Sequence, residues 1–591
     1  MTVLGRAATF KRDWLDGFAT AYGRTVRKVP GAYGVVARER PRTGKVAVVI
    51  GGGCGHYPAF AGLVGPGLAD GAVVGDVFTS PSAEQVYRTA READDGGGVL
   101  FGYGNYQGDV LHFGLAARRL AAEGIDSRTV LVTDDVASGP AEQAGRRRGV
   151  AGDFFVFKVA GAAAERGDDL AGVHAAAERA NAATRTFGVA FGGCTLPGAD
   201  GPLFTVDDGA MELGLGIHGE PGVRTVGRLG AEELADELVD GLLPELPSQG
   251  RVAVLLNGLG RTKYEEMFTV CTRVHERLAG AGLLPVHTEA GEFVTSLDMA
   301  GLSLSVMVLD DELAELYAAP CDTPGYRSAG ARLEPVEPVR TVDAGLERPD
   351  DQAAAGPVDR ALSAAMVRLE EAEDELGRLD AVAADGDHGL GMTRGIRAAV
   401  AAARAAEADG EPVSGALLAA GTAFADAAGG ASGALYGVLL AETGAGLEGK
   451  DTARITPGAL ADAVDRAVAA FTELGGARPG DKTMLDAIDP FRGILRKGAE
   501  ASPPGAGAAE AAACWAAAAE EAREAALATA GLTPAKGRAA RLAARSHGHP
   551  DPGATSFAHL VTAVSEVALK AAAARADGPA TTGAQGEGSR G

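Results

Sequence analysis

Three aspartates in the segment D-A-V-A-A-D-G-D-H-G-L-G have the types and spacing of a cation site. They are Asp380, Asp385 and Asp387, and the glycines between and after them allow the tight turns needed for all three carboxylates to face one point. Clustered carboxylates repel one another, so a divalent ion that prefers oxygen ligands is the expected neutraliser, and magnesium keeps positions open for phosphates. The segment therefore predicts a magnesium–nucleotide site, with a solvated acidic turn as the alternative.

Three side chains in the first half of the chain are candidates for nucleophilic or acid–base chemistry. His56 ends the turn G-G-G-C-G-H, Asp109 lies in G-N-Y-Q-G-D-V, and His218 lies in G-L-G-I-H-G-E-P-G. A histidine between glycines has its backbone fixed by turns and its ring accessible, as a nucleophile or base requires. Each residue alone also fits a hydrogen-bonded histidine or a turn aspartate, but their joint occurrence after predicted strands favours a site.

The elements that must position these residues are strands and helices in alternation. The run K-V-A-V-V-I from Lys45 leads into the glycine turn, as a parallel strand delivers a ligand loop at its carboxyl end. Further strand-like runs lie at residues 71–74, 98–103, 129–133, 154–159, 251–256 and 303–309, and helical stretches lie at 85–92, 114–123 and 264–279. This pattern predicts an α/β fold, but not a dinucleotide fold, because residues 51–55 lack the spacing G-x-G-x-x-G.

The second half of the chain has helical periodicity. A linker rich in Pro, Glu, Asp and Arg is predicted at residues 332–357, and an apolar face then ends directly before Asp380. Further helices are predicted at 397–408, 414–428, 457–474, 483–498, 508–530 and 555–575, with loops at 428–437, 478–487, 536–541 and 551–556. A glycine turn that starts a helix, as at 429–432, offers free amides to phosphate, and the composition of residues 578–591 predicts disorder.

Composition limits the classes of partner. With 591 residues the chain predicts several domains, and its net charge of −24, without a concentrated basic stripe, argues against nucleic-acid and anionic-membrane partners. The five cysteines are scattered and lack C-x-x-C spacing, which disfavours disulfides and zinc. We expect a soluble cytoplasmic protein, because no signal peptide and no uninterrupted apolar run of membrane-spanning length is recognisable.

The first 331 residues resemble the substrate subunit, DhaK, of the dihydroxyacetone kinases. The resemblance is carried, in the family's order, by G-G-G-C-G-H-Y-P, G-D-V-F-T-S-P-S, N-Y-Q-G-D-V, T-D-D-V-A, G-C-T-L-P-G and G-I-H-G-E-P-G. It implies two lobes, at about 1–182 and 183–331, with His218 bonded covalently to the carbonyl carbon of a ketose. It also implies that Asp109 is the general base and that His56 assists at the reacting hydroxyl.

The predicted substrate-binding residues are Gly53, Cys54, Gly55 and Gly104. Cys54, Tyr57 and Gly104 depart from the family's usual Ser, Glu and frequent Lys. Replacement of a lysine by Gly104 is expected to leave volume and to remove one donor. These departures favour a longer substrate than dihydroxyacetone, such as the four-carbon ketose erythrulose.

Residues 358–577 resemble DhaL, the nucleotide subunit of the same kinases. The resemblance implies an all-helical barrel that holds ATP above two magnesium ions, with Asp380, Asp385 and Asp387 as metal ligands. The implied nucleotide-binding residues are Gly429, Gly430, Ala431, Ser432, Thr483, Met484, Gly537, Arg538, Asp551 and Gly553.

Fusion of both units resembles the ATP-using branch of the family. The resulting hypothesis is an ATP-dependent ketose kinase that forms a homodimer, in which one chain's helical domain serves the other chain's ketose. Two alternatives remain at this stage: a ketose-sensing regulatory protein with an inactive kinase domain, and a cyclising lyase acting on FAD.

Overall fold

The computed structural model describes residues 7–39, 43–330, 332–339, 355–382, 384–450, 454–536 and 543–576. The chain divides into two compact units, Met1–Thr341 and Val342–Gly591. Of the predicted linker, residues 340–354 lie outside the described residues, as does the predicted C-terminal tail.

The first lobe of unit one is a six-stranded sheet with helices on its faces. Its strands are β1 (Val26–Lys28), β2 (Gly34–Ala37), β3 (Ala47–Cys54), β4 (Gly71–Val77), β5 (Val99–Gly104) and β6 (Ser127–Val132). Its helices are α1 (Phe10–Ala21), α2 (Ala83–Ala93), α3 (Gln107–Ala122), α4 (Asp153–Arg166) and α5 (Leu170–Ala183). The strand order is β1-β2-β4-β3-β5-β6, and the β4-β3-β5-β6 part is parallel, so the loops after β3 and β5 emerge at one edge.

The second lobe has its own six-stranded sheet, in the order β11-β10-β12-β7-β8-β9. Its strands are β7 (Thr184–Gly192), β8 (Ala210–Leu213), β9 (Arg224–Gly227), β10 (Gly250–Gly258), β11 (Leu283–Gly291) and β12 (Ala300–Leu309). Its helices are α6 (Ala231–Leu242), α7 (Tyr264–Gly280) and α8 (Asp311–Ala318), and two short strands follow, β13 (Cys321–Asp322) and β14 (Arg327–Ser328).

The predicted strand at residues 154–159 is wrong, because these residues form the start of α4. All residues from Asp153 to Ala164 are buried, and the apolar ones belong to a core shared by both lobes. A helix that is apolar on every side has no amphipathic period, so its sequence cannot be distinguished from a buried strand.

Within its described residues, unit two is helical. Its helices are α9 (Pro357–Glu371), α10 (Glu373–Ala381), α11 (His388–Ala408), α12 (Val413–Ala428), α13 (Gly430–Gly446), α14 (Pro457–Gly475), α15 (Leu485–Ala501), α16 (Ala508–Ala528), α17 (Ala543–Ser546) and α18 (Pro552–Ala576). Residues of α9, α12 to α16 and α18 line an apolar cavity of about 540 Å³, as in a barrel of helices. The predicted loop at 428–437 is mostly wrong, since α13 begins at Gly430. The predicted fold class, an α/β unit followed by an all-helical unit, is confirmed.

One helical segment in the described part of unit two, Pro552–Arg575, has the length and mean hydropathy (1.3) of a membrane-crossing helix. Ser565 and Glu566 interrupt its apolar sequence. Its residues Phe557, Leu560 and Val561 pack into the core formed by the surrounding helices, and 33% of its apolar window is buried.

Candidate active site

The glycine turn after β3 places His56 at the edge of the first sheet. An ideal Cβ at Gly53 would lie 2.6 Å from the backbone nitrogen of Thr79, so only glycine allows these two segments to approach. Gly55 has a φ of +106°, a conformation that favours glycine. The imidazole of His56 then stacks on Phe78, with ring centroids 5.0 Å apart.

His56 is a buried, neutral imidazole. Its side chain is enclosed, and burial together with the nearby charge of His218 lowers the pKa of His56 to about 3. Nδ1 lies 2.6 Å from the carbonyl oxygen of Thr295, which can only accept, so Nδ1 carries the proton. Nε2 is therefore an acceptor, and it lies 3.1 Å from Nε2 of His218.

His218 lies in the loop between β8 and β9 and faces the first lobe. Its ring is held edge-on between Phe78 and Tyr106, with centroid distances of 5.2 and 4.8 Å. Nδ1 lies 3.0 Å from a carboxylate oxygen of Glu220. Burial opposes ionisation of Glu220, but the hydrogen bond and charge of His218 outweigh it and lower the pKa of Glu220 to about 2.

Asp109 is in the first turn of α3 and is almost fully buried. Burial raises the pKa of Asp109 to about 6, against a hydrogen bond from Ser80 and the charge of His218. Its Oδ1 is buried without a hydrogen-bond partner. A buried carboxylate with one unused acceptor and a pKa near neutrality has the properties of a general base.

The four predicted substrate-binding residues are divided between two places. An ideal Cβ at Gly104 would lie 3.1 Å from both the Gly149 carbonyl oxygen and the Tyr106 ring, so there is little room directly beside this glycine, and the extra volume stays a prediction. Cys54 lines a cavity of about 320 Å³ together with Trp14 and Tyr57, and this cavity is also lined by Gly53 and Gly55. His218 is not among its lining residues.

The three aspartates of unit two come together as predicted. Asp380 lies in the last turn of α10, Asp387 directly precedes α11, and Asp385 lies between the two helices. One carboxylate oxygen from each lies within 4.8 Å of the other two. Gly386, with a φ of +81°, donates its backbone N–H to Asp380 at 2.9 Å, so the turn itself holds that carboxylate. Such an all-oxygen set, with Asp385 and Asp387 exposed, fits a magnesium ion.

Buried His388 connects this turn to two predicted nucleotide loops. Its Nε2 lies 2.9 Å from Ser556 Oγ on α18, and its Nδ1 lies 3.3 Å from Ser432 Oγ on α13. Ser556 also lies 2.9 Å from the hydroxyl of Tyr436. The segment at Gly429, Gly430, Ala431 and Ser432 is thereby tied to the aspartate turn, and the positive φ of both glycines leads into α13.

A second pair of predicted loops meets beside α15 and α18. An ideal Cβ at Gly553 would lie 3.4 Å from Met484 Cβ and 3.1 Å from Asp551 Oδ1, so these segments touch. Thr483 donates its backbone N–H to Asp486 at 2.8 Å. Burial raises the pKa of Asp551 to about 7. Gly537 and Arg538 lie outside the described residues.

Comparison with known proteins identifies the family. The Dak1 domain model matches residues 16–325, and the DAK2 domain model matches residues 382–566. The chain is 52% identical to D-erythrulose kinase of Mycolicibacterium smegmatis, over 95% of this chain and 97% of that protein. The chain belongs to the dihydroxyacetone kinase family. The predicted family and the predicted enzyme class, a phosphotransferase acting on an alcohol group, are confirmed.

Two further relatives of this dihydroxyacetone kinase family member span both units. L-erythrulose 1-kinase of M. smegmatis is 50% identical, over 94% of this chain and 98% of that protein. The crystal structure of the dihydroxyacetone kinase from C. freundii in complex with AMP-PNP and Mg2+ is 28% identical, with a TM-score of 0.58, and covers 96% of this chain and 99% of that one.

Several residues of the Dak1 domain site were not predicted from the sequence. Thr295 comes from a loop more than two hundred residues beyond His56, and no local signal connects the two. Glu220 could have been found, because it stands in the same H-G-E-P-G motif as His218. In the Dak2 domain, His388 stands within the quoted aspartate segment, but its role as a connector depends on two distant serines.

Proposed function

We propose that this member of the dihydroxyacetone kinase family transfers the γ-phosphoryl group of ATP to a terminal hydroxyl of a short-chain ketose, with erythrulose favoured over dihydroxyacetone. The proposal rests above all on the convergence of His218, His56 and Asp109 in unit one. The three-carboxylate cluster of unit two supports it. The names of the two M. smegmatis relatives favour the four-carbon substrate, since both are erythrulose kinases.

In the proposed reaction His218 holds the ketose covalently through its carbonyl carbon. A covalent bond selects carbonyl compounds over polyols and fixes the remaining hydroxyls in place, so that transfer depends on positioning. Asp109 accepts the proton of the attacking hydroxyl, because its unpartnered Oδ1 is buried near His218. His56 orients the adduct through its Nε2, which faces His218.

In the same proposal Asp380, Asp385 and Asp387 hold two magnesium ions beneath ATP. Bound there, magnesium offsets the negative charge of the phosphoryl group during transfer. The N-terminus of α13 offers backbone amides to the phosphates, since the first helical N–H groups have no partner within the helix. Thr483, Met484, Asp551 and Gly553 would border the nucleotide, together with Gly537 and Arg538. The AMP-PNP and Mg2+ bound to the C. freundii relative support both ligands.

The remaining assignments are also proposals. We assign residues 1–331 to the ketose-binding domain, 332–357 to the linker and 358–577 to the nucleotide-binding domain. We further propose a cytoplasmic homodimer without nucleic-acid or membrane partners. These assignments follow from the charge of −24 and from the resemblance of each segment to its family counterpart.

The test is a substrate panel. ATP consumption is measured with dihydroxyacetone, D-erythrulose, L-erythrulose, glyceraldehyde and FAD, for the wild type and for His218→Ala. We expect the highest kcat/KM with one erythrulose enantiomer and its loss in His218→Ala. Equal turnover of the ketoses by wild type and His218→Ala would contradict covalent capture, and release of a cyclic flavin nucleotide from FAD without ketose turnover would favour the lyase. Ketose binding without any ATP consumption would favour the regulatory protein.

A further inference from the structure

Glu220 contacts its neighbour His218 at two atoms. Its Oε1 lies 3.0 Å from Nδ1 of the His218 ring, and its Oε2 accepts the backbone N–H of His218, also at 3.0 Å. Because the low pKa of Glu220 keeps it a carboxylate that only accepts, Nδ1 of His218 must carry a proton. The ring is thereby fixed with Nε2 pointing away from Glu220.

The conformation of the loop between β8 and β9 allows the Glu220 side chain to turn back toward His218. Gly219, between the two residues, has a φ of +87°, and an ideal Cβ there would lie 2.4 Å from the ring of Phe204. An ideal Cβ at Gly216 would lie 2.2 Å from Oε2 of Glu220. Arg148 lies 3.8 Å from the same oxygen and is held by Asp135 at 2.7 Å. Gly216 thus makes room for the carboxylate, and Gly219 makes room for Phe204.

The Nε2 side of the His218 ring faces a hydrogen-bond acceptor, Nε2 of His56. Nε2 of His56 can only accept while its Nδ1 donates to the Thr295 carbonyl, so the 3.1 Å contact between the two imidazoles is a hydrogen bond when Nε2 of His218 carries a proton. Hydrogen bonds therefore run continuously from Glu220 through His218 and His56 to Thr295. When that proton is present, the two imidazoles together carry one positive charge, which faces the Glu220 carboxylate.

We propose that Glu220 is the positioning residue of this site, which aims Nε2 of His218 at the ketose carbonyl and balances the positive charge of the covalent adduct. The inference rests on the proposed function, because it assumes that His218 forms the adduct. It assigns to Glu220 a role distinct from that of Asp109, which acts on the hydroxyl to be phosphorylated.

Atoms and charge balance in the proposed formation of the adduct. The Nε2 proton of His218 passes by way of Nε2 of His56 to the carbonyl oxygen. In the same step the freed lone pair forms the N–C bond to the carbonyl carbon, so His56 holds no lasting charge. The π electrons of the carbonyl move to its oxygen, which takes up this proton. His56 ends neutral, while His218, still protonated at Nδ1, ends as an N-substituted imidazolium. The positive charge is the same before and after, and Glu220 faces it throughout.

The experiment uses the full-length chain and a ketose labelled with 13C at its carbonyl carbon, without nucleotide. Carbon-13 NMR distinguishes the trigonal carbon of a bound ketone from the tetrahedral carbon of the adduct. The variants are Glu220→Gln, which keeps the shape and removes the charge, and Glu220→Asp, which keeps the charge. Asp208→Asn removes the same charge from an exposed residue of the same lobe and is the matched control.

We expect a tetrahedral signal in the wild type and in Asp208→Asn, and its loss in Glu220→Gln together with a fall in kcat/KM of about 100-fold or more. Glu220→Asp should retain more adduct than Glu220→Gln. A tetrahedral signal of wild-type strength in Glu220→Gln, or an equal loss in both Glu220 variants, would overturn the role of Glu220. Absence of the signal in the wild type would instead refute covalent capture by His218, so the two failures are distinguishable.

Discussion

At the scale of single residues, the protonated form of Asp109 favours the stability of the fold, whereas its ionised form is needed for catalysis. Burial raises the pKa of Asp109 from 3.8 to about 6, so the folded chain holds this proton more tightly than the unfolded chain does. The resulting stabilisation is fully present below the unfolded pKa and is lost as the pH rises through about 6. Catalysis by Asp109 as a base requires the opposite, ionised form, and kcat/KM should therefore fall as the pH drops below about 6.

Replacement of this carboxylate separates the two effects. Asp109→Asn should lower kcat by about 100-fold or more. It should also raise the free energy of unfolding at pH 8 by about 1–3 kcal/mol, because the buried charge is gone. Urea unfolding at pH 8 and pH 5 checks this, since the gain should shrink at pH 5, where Asp109 is protonated. Asp208→Asn serves as the exposed control, and an unfolding free energy lowered at pH 8 would contradict the prediction.

The aspartate cluster predicts a metal-dependent stability. Magnesium should raise the melting temperature of the wild-type chain, because an ion that binds only the folded state stabilises it by mass action. Asp385→Asn should abolish most of this shift, as it removes one of three carboxylates that lie within 4.8 Å of one another. Thermal unfolding with magnesium or with EDTA measures the difference. Equal shifts in wild type and variant would place the ion elsewhere.

At the scale of elements, the loop between β8 and β9 depends on the backbone of Gly219. Gly219→Ala combines a positive φ with a close approach of its Cβ to Phe204, whereas Gly209→Ala has a positive φ of +77° but open space around it. Both variants should lose about 1 kcal/mol of stability from strain. Only Gly219→Ala should also lower kcat/KM sharply, because it displaces His218 and Glu220. Denaturation and ketose kinetics compare the two, and equal kinetics would exclude a special role for this turn.

Ser556 connects helices that carry the nucleotide loops. Ser556→Ala removes a partner of both His388 and Tyr436, so Nε2 of His388 and the hydroxyl of Tyr436 each lose the hydrogen bond to Ser556, while Nδ1 of His388 keeps Ser432. The unfolding free energy should fall by about 1–3 kcal/mol, and KM for ATP should rise while KM for the ketose stays unchanged. Ser565→Ala is the control on the same helix, since its hydroxyl donates only to Thr562. An unchanged KM for ATP would restrict the network to a structural role.

Amphipathic helices and short apolar strands bounded by turns could be predicted from the sequence, and a helix buried on every side could not. The helices α2, α3 and α7 and the strands β3, β10 and β12 were all anticipated from their period and flanking turns. Helix α4 was predicted to be a strand because it is buried on every side, so its sequence shows no helical alternation of apolar and polar residues. The same limit holds for the site: residues on one motif, such as His218, could be found, but Thr295 reaches His56 only through the tertiary fold.

At the scale of the whole molecule, the proposed reaction needs a ketose on one unit and a nucleotide on the other. A mixture of His218→Ala and Asp385→Ala chains tests whether transfer crosses between chains of the proposed dimer. Each variant alone should be inactive, and the mixture should recover about a quarter of the wild-type rate if subunits exchange at random and either chain's nucleotide unit serves its partner. Co-expression of both variants ensures mixing. A mixture that stays inactive would restrict transfer to within one chain.

The buried thiol of Cys54 has a practical consequence for chemical labelling. Burial raises the pKa of Cys54 to about 11, so the reactive thiolate is scarce at neutral pH although the residue adjoins the glycine turn. Electrophiles such as iodoacetamide should therefore leave Cys54 unmodified in the folded enzyme, as peptide mass mapping can verify. Because Cys54 lines the cavity of about 320 Å³, a compound that enters this cavity would meet a thiol that reacts slowly, rather than one that is closed off from it.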